Sequence, residues 1–99
     1  MVSRPASMPA HIRKMDRLQK CIEILRVLAK QPEYEANRLR IAEWRINEYL
    51  RPDVVALRSS LERLGNAASA EAEMHPSESS FWGGVQDYVG SCLFKLPGD

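Results

Sequence analysis

The stretch MDRLQKCIEILRVLAK, residues 15–30, decides the fold class. Met15, Leu18, Ile22, Leu25 and Ala29 recur at alternating spacings of three and four, which places them on one stripe of an α-helix. Cys21, Ile24, Val27 and Leu28 widen that stripe, so the second half of the helix should be covered on more than one side. The helix is expected over residues 11–30, with Arg13, Lys14, Arg17 and Lys20 forming a basic face on its first half. Gln31-Pro32 ends it, because proline lacks the donor to continue and disfavours helical geometry in the residue before it.

The same spacing extends outward from this helix. A second helix is expected over residues 32–51, with Leu39, Ala42, Ile46 and Tyr49 or Leu50 on one stripe and Tyr34, Ile41 and Trp44 on another. The tight proline junction favours an antiparallel hairpin with the first helix. A third helix is expected over residues 52–64, with Val54, Leu57, Leu61 and Leu64 in one row, Val55 beside it, and Gly65 as its terminator. Residues 65–80, rich in Ala, Ser and Glu, read as a linker, with at most a short helix over Ala67–Met74. A fourth amphipathic helix is expected over residues 81–96, weakened by Gly83, Gly84 and Gly90. Residues 1–10, with Pro5 and Pro9, read as a flexible lead-in. The expected class is therefore all-α: a helical hairpin plus two further helices in one domain, a bundle of three or four.

Charge sorts along the chain. Residues 1–30 carry a net charge of +5, residues 31–64 are balanced, and residues 65–99 carry −4, leaving +1 overall. So small an excess argues against a dedicated nucleic-acid binder, while the basic front and acidic back favour association within or between chains. Two separated cysteines, Cys21 and Cys92, do not make a disulfide scaffold, and both lie on apolar faces as buried small hydrophobes would. No signal-peptide core and no membrane-spanning run is found. Aromatic residues could lay the last helix on a membrane surface, but Asp87 and the lone Lys95 argue against it. The expected compartment is the cytoplasm, with no membrane partner.

His11 and His75 have no Cys, Asp or Glu at zinc-like spacing, and no nucleophile elbow, phosphate loop or paired-carboxylate motif occurs. No enzyme activity, cofactor, metal or small-molecule substrate is therefore expected. Two features remain as binding candidates. The basic face, Arg13, Lys14, Arg17 and Lys20, is either a solvated helix face or a dock for an acidic partner or nucleic acid. The aromatic set, Tyr34, Ile41, Trp44, Phe81 and Trp82, either closes a four-helix core, with the last helix over the second face of helix two, or stays open for a partner. The leading expectation is a regulatory protein that holds or sequesters a cytoplasmic target such as a transcription factor, as a homodimer. A helix-turn-helix DNA binder, reading with residues 52–64, and an accessory subunit of a larger complex are the alternatives.

Overall fold

In the computed structural model the described residues are 10–31 and 37–97, with side chains described from residue 17 onward. The lead-in expected over residues 1–10 falls almost wholly outside them, as does the expected start of the second helix at Pro32.

The apolar spacing of the first stretch forms α1, Ala10–Ala29. Leu18, Cys21, Ile22, Leu25, Leu28 and Ala29 are buried, and Val27 points away from them into solvent. The last turn tightens, with Lys30 N–H donating to the Val27 carbonyl and Gln31 N–H to that of Leu28. One carbonyl left over at this end, that of Ala29, accepts a hydrogen bond of 2.8 Å from Arg38 Nη1. Arg38 opens α2, Arg38–Leu50, which buries Ala42, Ile46 and Leu50 at spacings of four. Arg17 Nη1 donates to the Tyr49 carbonyl at the other end of the pair, at 2.9 Å. These two contacts make α1 and α2 antiparallel, the hairpin expected from the sequence.

The α2–α3 junction differs from expectation. A turn over residues 51–56 precedes α3, Leu57–Met74, and the Asp53 carboxylate accepts the Ala56 N–H at 3.3 Å. Val54 and Val55 fall in this turn and are exposed, whereas the sequence spacing placed Val54 in the buried row with Val55 beside it. The helix then runs straight through Gly65, where the sequence suggested a stop, and occupies most of the expected linker. The reason is tertiary. Gly65 faces α4 so closely that a Cβ there would lie 3.4 Å from Val89 Cγ1. Ala68 is fully buried one turn later, and Glu71, one turn after that, is nearly so. Small side chains let the helices approach, and the burial offsets the roughly 1 kcal/mol that a mid-helix Gly costs.

A single 3-10 turn, Pro76–Glu78, leads into α4, Ser79–Lys95. Phe81, Trp82, Val85 and Val89 form its buried stripe. Gly65 beside Val89, and Arg58 Nη2 donating to the Pro97 carbonyl at 3.1 Å, make α3 and α4 antiparallel. This is the most extensive helix pairing among the described residues. The pair docks on α2 through Tyr88, whose hydroxyl donates to Asn47 Oδ1 at 2.9 Å, and through Leu39, which lies over Gly84. Arg26 Nε on α1 meets buried Glu71 on α3 at 2.7 Å. The result is a four-helix bundle around one core, in which Trp82, Leu25, Ile46, Leu64, Val85 and Cys21 are the largest fully buried side chains. Truncating Leu25 or Leu64 to Ala should cost about 2–5 kcal/mol.

Candidate binding surface

The bundle has two tryptophans in opposite situations. Trp82 is 0% exposed, packs edge-on against Phe81 at 5.1 Å, and donates its indole N–H to Glu78 Oε1 at 3.0 Å. Trp44 is 60% exposed. Its position on α2 is opposite the buried row Ala42–Ile46–Leu50, so the helix itself turns the ring outward. The Arg45 guanidinium lies 4.8 Å from the centre of that ring, and Arg45 Nη1 also meets Glu48 Oε1 at 2.9 Å. A charge over one face and a carboxylate behind it hold the indole's flank in a defined arrangement.

The neighbouring helix exposes apolar surface too. Lys20, Glu23, Ile24, Val27 and Leu28 line an open depression of about 410 Å³ on α1. Val27 stands opposite the buried Leu18–Leu25–Ala29 stripe, as Trp44 does on α2. Two antiparallel neighbours therefore each turn an apolar side chain outward. The sequence reading placed Ile24, Val27 and Leu28 together on a buried flank. Only Leu28 is buried, and Glu23 and Lys20, one and two turns before Val27, are the sequence signal that this flank is wet.

The structure divides the aromatic set. Ile41 is half-buried against the core and Trp44 is outside it. Phe81 and Trp82 are corrected from surface candidates to core residues: both rings are buried among the bundle's own helices, Trp82 completely. Tyr34 lies outside the described residues, as do the side chains of Arg13, Lys14 and His11. Of the basic face, Arg17 is engaged by the Tyr49 carbonyl and Lys20 borders the α1 depression. On α3, Arg58 is held by the Pro97 carbonyl, while Ser59 and Arg63 are exposed.

A second depression, about 260 Å³, lies where α1 ends and α2 and α4 begin, and Arg38, Ser77, Glu78 and Ser80 are among its walls. Its two charged groups already serve the fold. Arg38 binds the Ala29 carbonyl and lies 5.6 Å above Phe81. Glu78 accepts the Trp82 N–H and pairs with Lys30 at 3.5 Å. The Trp82 hydrogen bond, helped by the Lys30 charge, holds the Glu78 carboxyl below the usual glutamate range. Burial pushes the Cys21 thiol up to about 12, which keeps it protonated and unreactive in the fold. Burial also raises the Tyr88 hydroxyl, with a hydrogen bond to Cys92 adding to it. Among the described residues no three of His, Cys, Asp and Glu gather as a metal would need, and no helix is long and apolar enough to cross a membrane. The chain matches no protein family, no characterised protein and no solved structure in the comparisons made.

Proposed function

We propose that this chain is a non-catalytic, protein-binding regulator that holds its partner on the outer face of α1 and α2. The observation that carries this reading is Trp44: a large ring left 60% exposed while Trp82 and Phe81 already close the core. Trp and Arg are the residue types most enriched at binding hot spots, and Trp44 with Arg45 supplies both at one point. The open apolar depression around Ile24 and Val27 on the adjacent helix offers a second apolar contact. In this reading the partner is a cytoplasmic target such as a transcription factor, and the two free cysteines suit a reducing compartment. The same face offers a second copy of the chain a way to form a homodimer.

Affinity capture from the source cell tests this directly, with the native chain, Trp44→Ala and Val27→Ser used side by side. The proposal expects a discrete partner, or the chain itself, retained by the native protein and lost with Trp44→Ala, at a cost of about 2 kcal/mol or more. A partner retained equally by all three would place binding elsewhere.

A further inference from the structure

The bundle consists of two hairpins. Each helix pairs most extensively with its neighbour in the chain, α1 with α2 and α3 with α4. The turn over residues 51–56 joins the two pairs. At the far end of the bundle from that turn, Arg26 meets Glu71 at 2.7 Å and Lys30 meets Glu78 at 3.5 Å. In both ion pairs a cation of the first hairpin faces a carboxylate of the second. The joining turn is loosely held. Asp53 N–H reaches the Leu50 carbonyl at 3.2 Å, Ala56 N–H the Asp53 carboxylate at 3.3 Å, and Leu57 N–H the Val54 carbonyl at 3.4 Å, all at or beyond the long end of the hydrogen-bond range. At its centre stand two adjacent β-branched residues, Val54 at 78% exposure and Val55 at 90%. Turns favour Gly, Pro, Asn, Asp and Ser, whereas a Val-Val pair favours extended chain.

We infer that two copies of this chain exchange their second hairpins, with residues 51–56 as the hinge. The core face of α1 and α2 in one copy then receives α3 and α4 of the other. Fit selects this occupant: the hairpin that already fills the face brings Phe81, Trp82, Val85 and Val89 to the same places and Glu71 and Glu78 to the same cations. Exchange therefore keeps the contacts of the single copy, which is why it is a low-cost route to a dimer. What it adds lies at the hinge. Extended, six residues span about 20 Å, enough to carry the second hairpin across to a neighbouring copy. In a two-fold dimer the two hinges run antiparallel past each other, and Val54 and Val55 of one lie against those of the other. The single copy leaves these side chains in water, and the exchanged pair covers them. Neither Trp44 nor Val27 takes part, so the exchange stands independently of the outer face and the partner proposed above.

A charge-swap mixture tests it. Arg26→Glu sets two carboxylates together at the Glu71 contact, and Glu71→Arg sets two guanidinium groups there, so each variant alone should unfold at lower urea than the native chain. Refolded together from urea at high protein concentration, the two should form a mixed dimer, seen by native mass spectrometry, that unfolds later than either variant alone. Only exchange does this, because each first hairpin then meets a second hairpin of matching charge. The native chain refolded in the same way should give a dimer by light scattering that persists on dilution, since separating it requires unfolding. Val54→Ser with Val55→Ser should weaken that dimer about tenfold or more, and Trp44→Ala should leave it unchanged. A native chain that stays monomeric overturns the proposal, as does a dimer indifferent to the valine changes. A dimer lost with Trp44→Ala would show pairing through the outer face instead and would also overturn it.

Discussion

Replacing Glu78 should unseat the core tryptophan through a single hydrogen bond. The Trp82 ring is fully buried, and its N–H donates to Glu78 Oε1 at 3.0 Å. Glu78→Ala removes that acceptor and strands a buried donor, which costs about 1–3 kcal/mol. The paired Lys30 is 57% exposed in its side chain, so losing that ion pair adds little. A total near 2 kcal/mol should lower Tm by roughly 10 °C in a domain of this size. Glu78→Gln keeps an acceptor in the same place and should recover most of the loss. The pH dependence has a definite sign. The folded carboxyl is held below its ordinary range, so its contribution is fully present above the ordinary glutamate value of about 4.3. It is lost as pH falls from there through the depressed folded value, and the Gln variant should lack that dependence. Urea unfolding followed by far-UV circular dichroism at pH 7 and at acid pH measures both effects. If Glu78→Ala and Glu78→Gln were equally destabilised, or if both matched the native chain, the hydrogen-bond reasoning would be refuted.

Three other outcomes follow from the packing. Gly83→Ala and Gly90→Ala should each stabilise the protein by about 1 kcal/mol in thermal unfolding, because a Cβ at either position meets nothing within 4 Å. Gly84→Ala should gain less or lose, since its Cβ would meet Leu39 side-chain carbons at 2.6 Å. Cys21 should resist a thiol reagent in the native state while the half-buried Cys92 reacts. Stability should also fall as pH rises above the unfolded thiol value of about 8.5 toward about 12, a decline that Cys21→Ala makes shallower, as urea midpoints at neutral and alkaline pH would show. Finally, Arg26→Ala should cost more than Lys30→Ala in urea unfolding. It leaves the buried Glu71 carboxylate with, among the described residues, only His75 at 3.8 Å, whereas the Lys30 pair is mostly solvated.

The residues that announced the fold are those whose spacing reports burial directly. Leu18, Ile22 and Leu25 on α1, Ala42, Ile46 and Leu50 on α2, and Leu57, Leu61 and Leu64 on α3 all lie in the core, as their spacing indicates. Gly65 misled because its local preference to end a helix is overridden by contact with α4, which no local pattern reports. The Ala-rich second half of α3 read as linker for a related reason: it buries small side chains, Ala68 above all, and hydrophobic spacing registers mainly large ones. Val54 fits the α3 row in sequence, with Val55 beside it, but both precede the helix, because the Asp53 turn delays its start to Leu57. At the binding surface the sequence could nominate aromatics but could not sort them. Trp44 and Trp82 are both amphipathic-helix tryptophans, and only the tertiary arrangement decides that α4 turns one inward while α2 turns the other out.

The most direct measurement compares Trp44→Ala with Trp82→Ala, each for urea unfolding and for retention of captured protein. The bundle as described predicts that Trp44→Ala leaves the unfolding free energy within about 0.5 kcal/mol of native, as exposed substitutions do, yet loses the partner, while Trp82→Ala costs about 3–5 kcal/mol. A Trp44→Ala protein that unfolds as early as Trp82→Ala would put that ring in the core. One that keeps both stability and partner would show that the exposed face of α1 and α2 binds nothing.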